Sequence, residues 1–357
     1  MRRVHQLLAS FRAGDAISNE ALVIQRLLRG WGYESEIFAE TQAVESGARQ
    51  TVHDLRALGE VGDDCVILHL SSGSRVNMVF KELPCRRVII YHNITPPEYF
   101  QGIQEQVAMA MRRGREQMAQ LAGVADLVLA DSAFNAAELE ACGYSDVRVM
   151  PLLLDFDLIK AKPDRRILSK FDDGRINLLF VGRCVPNKRI EDVIAALYYL
   201  RNYVDPEARL IHAGSAVGME QYHALLITHV RSLGLGGVEL LGGVSQEELS
   251  ACYQVASAFI CMSEHEGFCI PLLEAMAHDL PIIAYAAGAV PETLGGAGVL
   301  CRDKQFDAIA ELAADLSREG ELRTAVIERQ RARLAEYRGR DLESEFRRHV
   351  ASVLEID

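Results

Sequence analysis

The chain has 357 residues, of which 49% are hydrophobic and 25% are charged, and its formal net charge is −12 at pH 7. This length exceeds what one hydrophobic core usually serves, so two domains are expected. The acidic balance argues against a nucleic-acid-binding protein, which needs a large basic surface. No stretch approaches the roughly 18 uninterrupted apolar residues of a transmembrane helix. The N-terminus is better interpreted as a first strand than as a signal peptide.

The cysteine pattern favours a reducing compartment. Eight cysteines are scattered along the chain without a C-x-x-C pair, so neither a disulfide framework nor a zinc knuckle is predicted. We therefore expect a cytoplasmic protein.

The first half of the chain alternates short apolar runs with polar or amphipathic stretches. The apolar runs are residues 4–8, 35–39, 65–70, 87–92 and 126–131. This alternation predicts β-α-β units around a parallel sheet. An amphipathic helix is expected after the first strand, ending at Gly30.

The same alternation restarts at residue 176 and predicts a second parallel sheet with its own crossover helices. Its apolar runs are residues 176–182, 208–214, 237–242, 257–263 and 280–285. Between the two sheets, residues 150–175 combine prolines, clustered charges and an Asp-Asp-Gly turn. This composition is typical of an interdomain hinge.

These patterns divide the chain into three parts. We predict an N-terminal Rossmann-like domain over residues 1–160, a C-terminal Rossmann-like domain over 161–335, and a helix over 336–357 that can pack back on the N-terminal domain. Two α/β domains imply a cleft. Parallel sheets bind ligands beyond the carboxyl ends of their strands, so the chemistry is expected in the loops that follow the strands.

The loop after the 257–263 run carries two glutamates around the start of a helix. Pro271 suits the first helical position, because its missing N–H would have no partner there, so a helix is predicted from Ile270 to His278. The turn before this helix offers backbone N–H groups and the positive end of the helix to an anion. Glu266 lies in that turn and Glu274 lies one turn inside the helix. Carboxylates accept hydrogen bonds from hydroxyls but repel phosphate, so the pattern predicts a ligand that carries both groups, such as a sugar nucleotide.

Residues 263–277, S-E-H-E-G-F-C-I-P-L-L-E-A-M-A, resemble the glutamate, seven residues, glutamate motif of retaining glycosyltransferases in the large family 4, also called glycosyl transferases group 1. The resemblance implies the GT-B fold, in which two Rossmann-like domains face a cleft. It implies a donor turn made of Glu266, Gly267, Phe268 and Cys269. In this family Glu266 would orient sugar hydroxyls and Glu274 would hold the ribose. The family usually has glycine where this chain has Cys269, and often has glycine in place of Asp279.

Residues 180–197 resemble the strand, loop and helix with which that family holds the donor diphosphate. The resemblance implies that Arg183 and Lys188 bind the phosphates. Two fixed cations at this position can take up the charge of a departing nucleoside diphosphate, a task that metal ions perform in other enzymes.

Residues 240–253 resemble the next conserved loop of the family. By this resemblance Gly243 and Val244 line the base pocket, although an ordinary strand-to-helix turn explains them nearly as well. Ser245 and Glu248 form a capping box, whose role is structural.

In the N-terminal domain the resemblance assigns two loops to the site. Gly14, Asp15 and Ala16 lie where the family has a glycine turn facing the donor phosphates. His92 ends a strand where the family carries its active-site histidine, and it would contact the sugar or the acceptor. His69, at another strand end, is the second choice.

Other short patterns carry less weight. Asp155-Phe-Asp157 spells the D-x-D metal signature of the other major glycosyltransferase fold, but three letters recur by chance and these lie in the predicted hinge. No dinucleotide-binding or P-loop glycine motif follows a predicted strand. His212, His223 and His229 lack ligand-like spacing with cysteine and are interpreted as surface or core histidines.

The sequence therefore predicts a retaining hexosyltransferase. It would move a hexose such as mannose or glucose from a GDP- or UDP-sugar to a hydroxyl of a glycan or lipid-linked acceptor, without a metal or other cofactor and without a nucleic-acid partner. Two alternatives stay open, a sugar-nucleotide 2-epimerase of the same fold and a non-catalytic nucleotide-sugar-binding subunit. The basic cluster at residues 111–117 could contact anionic lipid at the inner face of the plasma membrane, but a solvated helix face explains it more simply.

Overall fold

The computed structural model describes residues 3–12 and 14–354, without the side chains of Asp157 and Leu158. The described part of the chain forms two compact units. The first unit comprises Met1–Gln101, Glu105–Asp155 and Asp341–Asp357, and the second comprises Gly102–Gln104 and Phe156–Arg340. Residues 156–160 therefore belong to the second unit and not to the N-terminal domain, in contrast to the predicted boundary. Residues 336–340 also belong to the second unit.

Within the described residues, the first unit contains a seven-stranded sheet in the order β3-β2-β1-β4-β5-β6-β7. The strands are β1 (Val4–Leu8), β2 (Ile37–Ala39), β3 (His53–Asp54), β4 (Cys65–Leu70), β5 (Arg86–Tyr91), β6 (Leu127–Ala130) and β7 (Val147–Val149). All neighbouring strands run parallel. Leu7, Leu68 and Ile89 are completely buried in the core, as expected for a sheet covered on both faces.

Four α-helices accompany this sheet among the described residues up to position 155. They are α1 (Ala16–Gly30), α2 (Arg75–Glu82), α3 (Glu105–Gln120) and α4 (Ala133–Ala141). Helix α1 ends at Gly30, as predicted. In the basic cluster on α3, Arg112 and Arg113 are exposed, whereas Arg115 forms an ion pair with Glu138 at 2.8 Å. Among the helices of the described residues, none combines the length and the apolar character needed to span a membrane.

The second unit contains, in its described residues, a six-stranded sheet in the order β10-β9-β8-β11-β12-β13. Its strands are β8 (Asn177–Val181), β9 (Arg209–Ala213), β10 (Val238–Gly242), β11 (Ala258–Cys261), β12 (Ile282–Tyr285) and β13 (Val299–Cys301). All neighbouring strands are again parallel. The predicted class of two parallel α/β sheets is confirmed.

The helices of the second unit alternate with its strands and then follow one another toward the C-terminus. They are α5 (Phe156–Ile159), α6 (Arg165–Phe171), α7 (Ile190–Tyr203), α8 (Glu220–Ser232), α9 (Gln246–Val255), α10 (Ile270–Ala277), α11 (Val290–Leu294), α12 (Phe306–Leu316) and α13 (Glu321–Gly339). The last helix, α14 (Leu342–Leu354), belongs to the first unit. There the ring of Phe346 lies 6.1 Å from the ring of Trp31, and Tyr33 donates a hydrogen bond to the carbonyl of Leu354.

Candidate functional site

The predicted donor turn joins β11 to α10 and holds a close ion pair. Glu266 is only 6% exposed, and its Oε2 lies 2.6 Å from Nζ of Lys188. Burial opposes the charge on Lys188, but the carboxylate of Glu266 outweighs this effect and raises the pKa of Lys188. Lys188 is therefore a cation held at this turn, and Glu266 is its ion-pair partner.

A short turn before α7 brings Lys188 to Glu266. Residues Pro186–Lys188 form one turn of 3-10 helix. Asn187 fastens this turn to the neighbouring loop, because its side chain donates to the carbonyl of His265 at 3.0 Å and its own carbonyl accepts from the N–H of Glu264 at 2.9 Å. The backbone position of Lys188 is thus fixed by the contacts that its neighbour Asn187 makes with the loop before Glu266.

The carbonyl side of Glu266 packs directly on a glycine. The N–H of Ala289 donates to the carbonyl of Glu266 at 2.9 Å. A Cβ atom at Gly288 would lie 2.4 Å from that carbonyl oxygen, and the φ angle of Gly288 is +54°. Both the space and the backbone conformation therefore require glycine at this position.

Glu264, two positions before Glu266, is held by charged side chains that the sequence alone does not reveal. The Nζ of Lys304 lies 2.8 Å from Oε1 of Glu264 and 2.6 Å from Oδ2 of Asp192. Arg189 lies 3.4 Å from the same oxygen of Glu264. This network ties the start of the donor turn to α7 and to the loop after β13.

Helix α10 begins at Ile270, so Pro271 is its second residue and not its first, and it ends at Ala277, one residue before the predicted end. Cys269 caps the helix with a φ angle of 72°, and Asp279 has a φ angle of 53°. Both angles lie in the left-handed region that favours glycine. The two positions where this chain departs from the family pattern are therefore positions where the backbone favours glycine.

Glu274 is held by a tyrosine that the sequence analysis missed. The hydroxyl of Tyr253, on α9, donates to Oε2 of Glu274 at 2.7 Å. Burial raises the pKa of Glu274, and the hydrogen bond from Tyr253 acts in the opposite direction. The Tyr253 ring stacks on His278 with centroids 4.9 Å apart, which fixes the hydroxyl in place.

Arg183 is an exposed residue in the loop after β8, and the residues that follow it are buried. Gly182, the residue before Arg183, packs unusually closely against Gly214. A Cβ atom on Gly214 would lie 1.7 Å from the carbonyl oxygen of Gly182. The same oxygen accepts a hydrogen bond from Nε2 of His212 at 2.9 Å. Burial lowers the pKa of His212 to about 4, so the neutral ring donates through Nε2. His212 is therefore a core histidine that anchors the Arg183 loop.

The loop after β10 contains the predicted base-binding residues and the capping box. Gly243 and Val244 follow directly on the strand. Ser245 accepts from the N–H of Glu248 at 3.2 Å, and the Glu248 carboxylate accepts from the N–H of Ser245 at 2.9 Å. The capping box at the start of α9 is thus confirmed.

The first unit brings its two candidate histidines together in one buried network. The rings of His69 and His92 are stacked with centroids 5.1 Å apart, and Nε2 of His92 lies 2.8 Å from Nδ1 of His69. Nδ1 of His92 lies 3.0 Å from Asp131. The His92 side chain is only 1% exposed, so the imidazole is committed to neighbours within the unit.

The hydrogen-bond partners determine where the protons of the two histidines lie. The Gln6 amide donates to the carbonyl of Ala21, so its oxygen accepts from Nε2 of His69 at 2.9 Å. Nδ1 of His69 then accepts from Nε2 of His92, whose Nδ1 must donate to the Asp131 carboxylate. His92 is therefore a doubly protonated imidazolium.

A second carboxylate completes this histidine network. Oε2 of Glu20 lies 3.6 Å from Nδ1 of His92. Burial alone would lower the pKa of His92, but Asp131 and then Glu20 outweigh it and raise this pKa to about 9. Burial raises the pKa of Glu20 to about 7. The sequence alone reveals neither Glu20 nor Asp131, because each contacts His92 only through the fold.

The predicted glycine loop of the first unit leads into α1. Gly14 has a φ angle of +76°, and a Cβ atom there would meet open space. Asp15 caps α1 by accepting from the N–H of Ser18 at 3.3 Å, and Ala16 is the first helical residue. The carboxylate of Asp15 therefore has a structural role at this helix start.

The candidate residues fall into separate clusters within each unit. In the second unit, Lys188 and Glu266 form one contact, while Glu274 pairs with Tyr253. In the first unit, His69 and His92 meet, and Gly14 to Ala16 form a helix start. In the second unit, the donor turn is where candidate residues from different segments of the chain contact one another.

A family model matches residues that lie within the second unit. Residues 162–333 match the family model described as "Glycosyl transferases group 1". This match confirms the family resemblance drawn from the sequence, and it covers the donor turn as well as Arg183, Lys188 and Glu274.

Curated relatives match part of the chain. The "O-antigen chain mannosyltransferase B" of Escherichia coli is 30% identical over 132 residues, which are 37% of this chain and 34% of that protein. The "GDP-mannose:cellobiosyl-diphosphopolyprenol alpha-mannosyltransferase" of Xanthomonas oryzae pv. oryzae is 33% identical over 136 residues, which are 38% of this chain and 35% of that protein. The chain thus spans about a third of the length of these two relatives.

Solved structures match the whole chain in fold. Anabaena HepE in complex with UDP and glucose superposes with a TM-score of 0.75 at 17% sequence identity, covering 99% of this chain and 100% of that one. At this identity the likeness establishes the fold alone, and it confirms the GT-B class.

Proposed function

Since the chain belongs to the glycosyl transferases group 1 family over residues 162–333, we propose that it is a sugar-transferring enzyme. It would transfer a sugar from a nucleotide-diphospho-sugar to a hydroxyl of a glycan or lipid-linked acceptor. The observation that carries this proposal is the contact of 2.6 Å between Lys188 and Glu266 directly before α10. A buried carboxylate beside an anion-binding helix end is otherwise unfavourable.

The ion pair lets one turn serve both parts of a sugar nucleotide. An ammonium group has three N–H donors, so Lys188 can neutralise Glu266 with one and bind a phosphate oxygen with another. Glu266 keeps acceptor positions for sugar hydroxyls. The positive end of α10 adds to the attraction for phosphate, and Arg183 supplies a further cation in the same unit.

The remaining predicted donor contacts follow from the family resemblance. Glu274 would hold the ribose, with Tyr253 as a positioning residue, while Gly243 and Val244 would line the base. The loop from Gly14 to Ala16 remains a predicted contact of the donor phosphates, and the loop that carries His92 remains a predicted contact of the sugar or the acceptor.

We propose mannose as the transferred sugar and GDP as its carrier. Both relatives named above are mannosyltransferases, and the name of one includes GDP-mannose. A UDP-sugar is the second choice, because Anabaena HepE binds UDP and glucose.

Retention of configuration and independence from metal ions are part of the proposal. Lys188, Arg183 and the α10 end would take up the charge of the departing diphosphate, and the family resemblance implies attack from the same face.

A ligand panel tests this function before the acceptor is known. Thermal unfolding is measured with GDP, UDP, ADP and dTDP, since a ligand that binds the native state raises the midpoint. We expect GDP to raise it most. A panel without any shift would contradict the proposal.

GDP-mannose incubated alone and followed by NMR separates the alternatives, since a new sugar nucleotide would indicate an epimerase.

A further inference from the structure

Two thiols and a carboxylate meet at the end of β11. Within the described residues, one potential ligand atom each of Cys261, Glu266 and Cys269 lies within 4.8 Å of the other two. Cys261 is completely buried, Cys269 is 8% exposed and Glu266 is 6% exposed. We call these three residues the thiol-carboxylate cluster.

We propose that the thiol-carboxylate cluster is a binding site for one thiophilic divalent cation such as Zn²⁺ or Cd²⁺. Thiolate sulfur and carboxylate oxygen are among the usual ligands of Zn²⁺, and three protein ligands leave the fourth tetrahedral position open. Soft sulfur ligands select such ions over Mg²⁺ or Ca²⁺.

The geometry needs little rearrangement to hold the ion. Bonds of about 2.3 Å to sulfur and about 2.0 Å to oxygen place tetrahedral ligand atoms about 3.5 to 3.8 Å apart. The cluster atoms already lie within 4.8 Å of one another. Rotation of the side chains can close the remaining distance.

Charge also balances in the loaded cluster. Two thiolates and the Glu266 carboxylate carry three negative charges. The divalent ion and Lys188, whose Nζ lies 2.6 Å from Glu266, carry three positive charges. A buried group of ions with no net charge avoids the large desolvation cost of an isolated charge.

The two thiols already interact without a metal. The thiols of Cys261 and Cys269 are hydrogen-bonded to each other. Metal binding requires both thiols as thiolates and therefore releases their protons. The sequence alone does not reveal the pair, because seven residues separate the two cysteines and no C-x-x-C spacing occurs.

Occupancy of this site would block the donor turn, a consequence that rests on the proposed function. The ion would take a Glu266 oxygen that is proposed to accept from sugar hydroxyls. The ion is therefore an inhibitor of donor binding and not a participant in transfer.

Titration of the reduced protein with Cd²⁺ tests the site, with ultraviolet charge-transfer absorption from thiolate to Cd²⁺ as the readout. We expect saturation at one ion per chain, with release of two protons. Cys261→Ser and Cys269→Gly should each weaken binding at least about tenfold. Glycine suits the backbone at position 269, so this variant is expected to fold. Cys252→Ser removes a buried thiol on α9, outside the cluster, and should bind as the wild type does.

Three results would overturn the metal site: no absorption at stoichiometric Cd²⁺, unchanged binding by a folded Cys269→Gly variant, or loss of binding in Cys252→Ser. Failure of the proposed function gives a different result. If Cd²⁺ binds as expected but leaves the affinity for GDP-mannose unchanged, the role of Glu266 in donor binding is wrong and the metal site stands.

Discussion

Lys188 and Glu266 are 78 positions apart in the chain, yet the ammonium nitrogen of one lies 2.6 Å from a carboxylate oxygen of the other. This contact removes an apparent conflict in the sequence, where a glutamate stands beside a helix end suited to an anion. Because the lysine neutralises the glutamate and still has free donor capacity, the turn can accept hydroxyl groups and phosphate side by side.

The backbone of the donor turn depends on Gly288. We predict that Gly288→Ala lowers the free energy of unfolding by about 1–3 kcal/mol, because its Cβ atom would meet the Glu266 backbone at 2.4 Å and its φ angle is positive. Binding of the nucleotide sugar should weaken as well. Urea unfolding and calorimetric titration measure the two effects.

Gly236→Ala is the matched control for this variant. Its nearest non-neighbouring atom would be a side-chain nitrogen of Arg201 at 3.8 Å, so stability should change by less than about 0.5 kcal/mol. Equal stability of the two variants would show that the turn does not need the close contact.

Tyr253 is predicted to position Glu274. Tyr253→Phe removes the hydrogen bond of 2.7 Å and should weaken nucleotide binding about fivefold, corresponding to about 1 kcal/mol. The hydrogen bond acts to lower the pKa of Glu274, so its loss raises that pKa. As the solution is acidified, the Glu274 carboxylate of this variant therefore becomes protonated at a higher pH than that of the wild type.

The pH dependence separates positioning from general damage. We expect the acid limb of nucleotide affinity, measured from about pH 5 to about pH 8, to move to higher pH in Tyr253→Phe. Tyr198→Phe, on α7, should leave the limb in place. A uniform loss of affinity at every pH would contradict the positioning role.

Stability of the first unit should fall as pH rises through neutrality. The folded-state pKa of Glu20 is raised from 4.5 to about 7, and that of His92 from 6.5 to about 9. The native state therefore binds more protons than the unfolded state, so stability is lost between pH 4.5 and about 7 at Glu20 and between pH 6.5 and about 9 at His92. Because each pKa unit titrated corresponds to about 1.4 kcal/mol, we expect a loss of about 3–5 kcal/mol from about pH 6 to about pH 9.

Trp31 is the only tryptophan of the chain and lies in the first unit, so its fluorescence during urea unfolding reports on this unit. In the lower part of this pH range, Glu20→Gln should make the free energy of unfolding depend less on pH. The control variant Glu34→Gln, at an exposed position, should leave the pH dependence unchanged. A free energy of unfolding that rises from about pH 6 to about pH 9 would contradict the proton assignment.

The sequence predicted the central strands of both sheets but not their short edges. Strands such as β4 and β8 are buried on both faces and therefore appear as continuous apolar runs. The edge strands β3, at His53–Asp54, β7, at Val147–Val149, and β13, at Val299–Cys301, have two or three residues. Such short segments give too little periodicity to be recognised.

The candidate site shows the same division between local and long-range information. Glu266 and Glu274 belong to one recognisable motif, and Lys188 belongs to another. Tyr253, His212 and Glu20 act only through neighbours brought by the fold, so a local pattern does not reveal them. Their roles follow from hydrogen bonds and burial.

The most direct test of the donor site is calorimetric titration of GDP-mannose and UDP-glucose into wild-type, Lys188→Ala and Lys162→Ala protein. Lys162 is an exposed lysine of the same unit and serves as the matched control. Lys188→Gln is a second variant, because its amide can still donate to Glu266 but carries no charge, and circular dichroism checks that each variant folds.

We predict that wild type and Lys162→Ala bind one of these sugar nucleotides with equal affinity. Both Lys188 variants should bind it at least about tenfold more weakly, as expected from the loss of a charge-assisted contact. Equal affinity of wild type and a folded Lys188 variant, or no binding of either sugar nucleotide by the wild type, would contradict the account.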